Sequence, residues 1–236
     1  MKKRKVRKKV WVILAALIIL IIGSYGAKKV YDDYKYQKDN GILITEKYRA
    51  EKMHKILYKC PCCKEERKMG SKGTLVFCEA CGKKWNLNED GTMSALEGVT
   101  EFSHVPDWFL WEKEETFKEI KNGTYRFEDD VEVYSLPRTT SVPYLGKAKI
   151  THTIDDGFTL EGYYNNAPYR ILRKPLQANS LHIEYDYCHV KPYDCFVINT
   201  ENDTYICYPT KNDVVTKLAF AVEGIYLHNL KKQKED

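Results

Sequence analysis

Two pairs of cysteines carry the clearest chemistry in this sequence. Cys60 and Cys63 form one C-x2-C pair, Cys78 and Cys81 form a second, and fourteen residues lie between the pairs. Paired thiolates presented by two tight turns are the usual tetrahedral ligand set of Zn²⁺, and Gly82 suits the turn after the second pair. Because the chain fills all four ligand positions, none is left for substrate or water. The sequence therefore predicts one structural Zn²⁺ per chain, bound by these four cysteines.

The remaining cysteines predict no second site. Cys62 offers an alternative C-x-C pair with Cys60, although the x2 spacing matches the second pair better. Eight cysteines in 236 residues are too few for a disulfide scaffold, so we expect reduced thiols. Cys188 and Cys195 lie in a strand-rich stretch, where core thiols are expected rather than nucleophiles.

An uncharged segment near the N-terminus predicts a single-pass anchor in the cell membrane. Residues 10–27 carry no charge, and the stretch Val10–Ile22 is almost wholly aliphatic, with Trp11 at its edge. A helix of that length rises about 27 Å, close to the thickness of a bilayer core. A secretory signal peptide is the alternative, since Ser24 and Gly26 offer small residues for cleavage.

The charge pattern bears on orientation and on partners. Seven basic residues at positions 1–9 precede the predicted anchor and four lysines follow it, which favours a cytoplasmic N-terminus. Reduced thiols favour a reducing compartment for the rest of the chain, so the side of the membrane stays open. Subtracting those seven charges from the net +5 leaves the remainder at −2. A nucleic-acid partner needs a basic folded surface, so none is predicted.

Helices are expected on both sides of the cysteine pairs. Thr45 can cap a helix that runs to about Tyr58 and delivers the chain to the first pair. Pro106 opens a second helix, and Gly123 is typical of the position just past its end. The aromatic residues of that second helix are expected to pack on a neighbouring domain.

From residue 131 onward, β-branched and tyrosine-rich runs separated by turn residues predict seven antiparallel strands. A helix over Val214–Leu230 closes the chain, with Lys217, Glu223 and His228 expected in solvent. This element order is that of a pleckstrin-homology-like barrel, and a generic β-sandwich is the alternative. The strands are predicted at Val131–Leu136, Leu145–Ile154, Phe158–Tyr164, Tyr169–Arg173, Leu181–Tyr187, Phe196–Thr200 and Tyr205–Tyr208.

The predicted fold class is α+β: a transmembrane helix, a rubredoxin-like zinc ribbon, and a seven-stranded antiparallel pleckstrin-homology-like barrel capped by a C-terminal helix. The predicted organisation is a basic tail at 1–9, a transmembrane anchor at 10–27, a tether and helix at 28–58, a zinc ribbon at 59–100, a connecting helix at 101–123, and the β domain with its C-terminal helix at 124–236.

Several collinear segments resemble the C-terminal region of clostridial-type lysophospholipid acyltransferases, the 1-acylglycerol-3-phosphate acyltransferases with a zinc-ribbon extension. The resemblance spans roughly residues 32–230. In that family the region follows a catalytic domain, whose place is taken here by the basic tail and the predicted anchor. The matching segments are Tyr34–Asn40, Gly41–Glu46, Ile56–Pro61, Cys78–Lys83, Phe102–Trp108, Gly157–Leu160 and the closing helix.

The family's acyl transfer uses a His-x4-Asp motif, in which the histidine acts as general base and the aspartate orients it. One such pair occurs here, at His189 and Asp194. It lies between two predicted strands and is interrupted by Pro192, and chance matches to so short a motif are common. A turn or surface histidine is therefore expected, and no catalytic residue is predicted.

These features predict a membrane-anchored, non-catalytic binding or scaffolding protein, and the resemblance implies an accessory role in phospholipid synthesis. Its partners are the membrane, through residues 10–27, and a protein or lipid headgroup that contacts the β domain. The alternative is an acyltransferase-related protein that needs a separate catalytic subunit or is a remnant of a longer enzyme.

Overall fold

The computed structural model describes residues 35–136, 142–187, 191–201 and 203–235. The basic tail at 1–9 and the predicted anchor at 10–27 lie outside these residues, as do Cys188 and His189. Among the residues described, no helix combines the length and apolar character needed to cross a membrane.

A small antiparallel sheet surrounds the cysteine pairs. Its four strands lie in sequence order, so each strand pairs with the next along the chain. The hairpin of Leu75–Cys78 and Lys84–Leu87 carries the second cysteine pair. The strands are β1 (Met69–Lys72), β2 (Leu75–Cys78), β3 (Lys84–Leu87) and β4 (Met93–Ala95).

The prediction of a helix over Thr45–Tyr58 is wrong. Only a short 3-10 turn forms there, at Met53–Lys55, and Lys52 before it adopts the left-handed φ of 65°. The backbone N–H of Ala50 donates to the carbonyl of Gly73, 2.9 Å away, instead of to a helical partner. Long-range contacts with the small sheet thus override the helical propensity of this segment.

The second predicted helix is confirmed as α1 (Val105–Lys121), with Pro106 in its first turn. Gly123 follows its end with a φ of 71°, a left-handed conformation that suits glycine. As expected, its aromatic residues form packing contacts: Trp108 and Phe109 are buried in the core of the small sheet.

The seven predicted strands are confirmed as one antiparallel sheet. The strands are β5 (Arg126–Ser135), β6 (Tyr144–Thr153), β7 (Gly157–Tyr164), β8 (Ala167–Arg173), β9 (His182–Tyr187), β10 (Tyr193–Asn199) and β11 (Thr204–Pro209). Their order in the sheet is β8-β7-β6-β5-β11-β10-β9. The turn between β7 and β8 contains Asn165 and Asn166 with φ of 51° and 63°, the two left-handed residues of a tight hairpin turn.

The seven-stranded sheet curls over on itself. Phe158 on β7 and Phe196 on β10 are four strand positions apart, which is about 19 Å in a flat sheet. Their ring centroids are only 6.0 Å apart, and the rings are stacked. The two halves of the sheet therefore face each other across a shared apolar core.

The closing helix α2 (Val215–Glu235) lies between this core and α1. Leu218 and Val222 pack into the sheet core, whereas Phe220 packs into the core of the small sheet. Ala221 and Ile225 pack against Ile120 of α1. The helix is consequently buried on two faces rather than on the single face that its sequence periodicity indicates.

This second contact face corrects two predicted solvent positions. Lys217 pairs with Glu66 at 2.9 Å and with Glu119 at 2.8 Å. Glu223 accepts a hydrogen bond from Lys113 of α1 at 2.7 Å. Both side chains therefore join α2 to neighbouring elements instead of pointing into water.

Gly224 permits the close approach of α2 to α1, and a larger residue there is expected to destabilise the protein. A Cβ atom at Gly224 would lie 2.6 Å from Ile120 Cδ1 and 2.8 Å from a ring carbon of Phe117. Gly224→Leu should lower the free energy of unfolding by about 1–3 kcal/mol through overpacking. Lys231→Leu adds the same side chain at an exposed site and should change it by less than about 0.5 kcal/mol. Urea denaturation compares them, and equal midpoints would contradict this packing.

Candidate metal centre

The structure brings the four predicted cysteines together. The Sγ atoms of Cys60, Cys63, Cys78 and Cys81 all lie within 4.8 Å of one another. Cys60 Sγ is 3.8 Å from Cys81 Sγ, and Cys63 Sγ is 3.7 Å from Cys78 Sγ. Four sulfurs at about 2.3 Å from a central ion form a tetrahedron with edges of about 3.8 Å. The two measured separations match that edge, so one metal ion fits between the thiols.

The first cysteine pair lies in a tight turn closed by two backbone hydrogen bonds. The N–H of Lys64 donates to the carbonyl of Cys60 at 3.0 Å, and the N–H of Cys60 donates to the carbonyl of Glu65 at 2.9 Å. Lys64 adopts a left-handed φ of 67° to close the turn. Because residue 64 is a lysine and not a glycine, the sequence gives no sign of this left-handed conformation.

The second pair repeats the same turn. The N–H of Gly82 donates to the carbonyl of Cys78 at 2.9 Å, and the N–H of Cys78 donates to the carbonyl of Lys83, also at 2.9 Å. Gly82 has a φ of 76°, as its position after the second pair predicts. Two turns of one geometry therefore present two thiols each to a common centre.

The four thiols can all ionise only if a cation neutralises their charge. Burial raises the pKa of the Cys60 and Cys78 thiols, although backbone N–H groups of Cys62, Cys63 and Ala80 partly offset this effect. For Cys81, hydrogen bonds outweigh desolvation and lower the pKa of the thiol. Thiolates this close repel one another, and a divalent cation supplies the charge that lets all four ionise.

Cys62 does not belong to the cluster. Its side chain is exposed, and it lies outside the four thiols that surround the common centre. The two x2 pairs, rather than a C-x-C pair, therefore form the site. Elsewhere, Cys195 and Cys207 are fully buried, and Cys195 is a core thiol as predicted.

Helix α1 clamps the residue that precedes the first ligand. The carbonyl of Lys59 accepts a hydrogen bond from Trp108 Nε1 at 3.0 Å, and the N–H of Lys59 donates to Glu112 Oε1 at 2.7 Å. Trp108 also packs edge-on against Trp85 of β3, with ring centroids 4.9 Å apart. Both peptide groups around Lys59 are thus fixed by α1, which positions Cys60 for the metal.

Glu112 is the principal residue that the sequence analysis missed. Its side chain is fully buried, and Oε2 has no hydrogen-bond partner in the described part of the chain. Burial raises its pKa well above the ordinary value of a glutamic acid. Glu112 follows Trp108 by four residues and precedes Thr116 by four, which places it on the same face of α1 as these two residues. That spacing is the sign in the sequence that Glu112 is buried.

Of the His-x4-Asp pair found in the sequence, only the aspartate can be placed. His189 lies outside the described residues, whereas Asp194 is described and half-buried. Asp194 Oδ1 accepts a hydrogen bond from Lys55 Nζ at 2.6 Å and another from the N–H of Asp186 at 3.0 Å. Asp194 thereby takes part in an ion-pair network that joins the 3-10 turn to the seven-stranded sheet.

No protein-family model matches this chain, and no curated protein matches it in sequence. The resemblance to the zinc-ribbon extension of the acyltransferases therefore stays a prediction.

Replacing one ligand should abolish metal binding, while replacing its exposed neighbour should not. We expect about one metal ion per chain in the wild type and in Cys62→Ser, and almost none in Cys78→Ser. Elemental analysis by mass spectrometry after gel filtration measures the metal content. Full metal content in Cys78→Ser would contradict the four-cysteine assignment.

Replacing Glu112 with a side chain that cannot ionise should change the pH dependence of stability. Its raised folded-state pKa means that the native protein retains a proton that the unfolded chain releases above about pH 4.3. Stability from this group is therefore complete below that pH and is lost as pH rises toward the folded-state pKa.

Glu112→Gln should consequently gain stability over the wild type as pH rises, by up to about 1.4 kcal/mol per pH unit within that window. Urea denaturation of both proteins from pH 4 to pH 8 measures the difference, and the comparison cancels the titration of the shared metal ligands. A difference that stays constant with pH would show that Glu112 is not protonated in the native state.

Proposed function

We propose that this chain is a membrane-anchored, non-catalytic scaffolding protein with a structural Zn²⁺ ion in a rubredoxin-like ribbon. The observation that carries the proposal is the closed set of four thiols, because such a site offers the metal no position for substrate or water. A tetrahedral four-thiolate site also accepts iron, and we propose zinc because it is the usual structural ion of paired C-x2-C turns. The ion's role is then to fix the ribbon against α1 and α2.

The strand order supports a pleckstrin-homology-like barrel for the β unit. Its first strand, β5, lies in the middle of the sheet, between the meander β6-β7-β8 on one side and β11-β10-β9 on the other. The sheet curls round a shared core that α2 closes with Val215, Leu218 and Val222. This arrangement is that expected of a barrel whose last helix covers an open end.

A groove over β5–β8 is the proposed contact surface of this unit. It has a volume of about 930 Å³, and Tyr163, which is 69% exposed, lies on it. Acidic and basic side chains alternate from strand to strand, since Asp130 opposes Lys149 and Glu161 opposes both Lys149 and Arg170. The charged lining residues are Asp130, Glu132, Glu161, Lys147, Lys149 and Arg170.

This balanced charge favours a protein partner over a lipid headgroup. Recognition of an anionic headgroup needs an excess of positive charge, and the groove offers three acidic and three basic side chains. A protein segment can complement alternating charges and use Tyr163 as an aromatic anchor. We therefore propose that the β unit holds a partner protein near the membrane.

The purified full-length chain should contain about one zinc ion and should not transfer acyl groups. Both are measured on one detergent-purified sample, by elemental analysis and by an assay for acyl-CoA-dependent conversion of lysophosphatidate. Activity that is lost in His189→Ala would overturn the non-catalytic proposal and favour the acyltransferase-related alternative. Iron in place of zinc would overturn the assignment of the metal.

A further inference from the structure

The segment that precedes the ribbon exposes several large apolar side chains. Tyr36 is 65% exposed, Ile42 45%, Leu43 57% and Tyr48 66%. Scattered single apolar residues are ordinary on a protein surface, but four within thirteen residues concentrate exposed apolar side chains in one stretch of the chain. We call residues 36–48 the apolar segment.

The apolar segment is fixed to one end of the β3–β4 hairpin. The N–H of Ile44 donates to the carbonyl of Glu89 in the hairpin turn, at 2.7 Å. Within the segment, the N–H of Ile42 donates to the carbonyl of Gln37 at 3.0 Å, and Gln37 Nε2 donates back to the carbonyl of Ile42 at 3.2 Å. The exposed side chains therefore occupy a defined place at the turn end of the ribbon.

The cysteine cluster lies toward the other end of the same hairpin. Lys84 begins β3 directly after the second cysteine turn, and the four residues of β3 extend about 13 Å toward the hairpin turn. The N–H of Leu96 donates to the carbonyl of Lys84 at 2.9 Å, and Lys83 Nζ donates to the carbonyl of Val99 at 2.7 Å. Leu96 and Val99, also exposed, therefore mark the metal end of the ribbon.

The predicted anchor places the turn end near the bilayer. The eight peptide steps from Ala27, where the anchor is predicted to end, to Lys35 span at most about 28 Å. The apolar segment follows immediately, so it is the part of the described chain that is closest in sequence to the membrane. Tyrosine at a membrane interface buries its ring among lipids and keeps its hydroxyl in water.

We infer that the apolar segment rests in the headgroup layer of the bilayer that holds the anchor, with the cysteine cluster directed away from the membrane. This inference rests on the proposed anchor. Charge does not drive the contact, because the exposed Lys38 and Lys47 are balanced by the exposed Asp39 and Glu46. Burial of the tyrosine, isoleucine and leucine side chains supplies the attraction instead, so the contact should form on zwitterionic lipid.

The test uses the full chain reconstituted in phosphatidylcholine vesicles. A fluorescent non-natural amino acid replaces Leu43 or Tyr48 in the apolar segment, and Val99 serves as the matched exposed position at the metal end. Lipids brominated on their acyl chains quench a probe only at close range. The inference predicts at least a twofold loss of fluorescence at positions 43 and 48 and no loss at position 99.

Flotation on a density gradient separates this inference from the proposed anchor. If the chain floats with the vesicles and the probes at 43 and 48 are no more quenched than the probe at 99, the inference is wrong and the anchor stands. If the chain does not float, the anchor proposal fails and the inference fails with it. Each labelled protein is checked for about one metal ion per chain, so that a misfolded variant is recognised and is replaced by the second labelled position.

Discussion

Four sulfur atoms separated by the edge length of a metal-centred tetrahedron set the constraint on which the rest of this structure depends. Two turns of the same geometry supply the thiols, and sulfur–sulfur contacts of 3.8 and 3.7 Å join Cys60 to Cys81 and Cys63 to Cys78. Four thiolates at this distance repel one another unless a cation neutralises them. The ion therefore links the two cysteine turns directly, in addition to the four-stranded sheet and the apolar core that they share.

The constraint extends from the cysteines into both helices. Lys59, directly before the first ligand, is held through its N–H by Glu112 and through its carbonyl by Trp108, which fixes α1. Phe220 of α2 enters the same core as Trp108. Because α2 also closes the core of the seven-stranded sheet, the ribbon and the β unit share one helix and one set of packing contacts. A disturbance at the metal should consequently reach the sheet through α2.

The features that could be predicted from the sequence are those that depend on a few neighbouring residues. The cysteine spacing, Gly82 and the tyrosine-rich strand runs each act over a few residues, so the metal cluster and the seven strands follow from them. The helix predicted over residues 45–58 does not form, because the contacts of this segment with the small sheet outweigh its helical propensity. Glu112 was missed because a buried carboxylate contradicts the usual pattern and is explained only by a distant backbone N–H. Likewise, the second buried face of α2 depends on where α1 lies, and periodicity along one helix does not contain that position.

The most direct test of the central claim is X-ray absorption spectroscopy at the zinc edge on the metal-bound full-length protein. A closed structural site predicts four sulfur neighbours at about 2.3 Å and no oxygen or nitrogen in the first shell. A first shell with three or fewer sulfurs and a lighter atom at about 2.0–2.1 Å would contradict it. Such a shell would mean an open coordination position, and the metal would then have to be considered for catalysis.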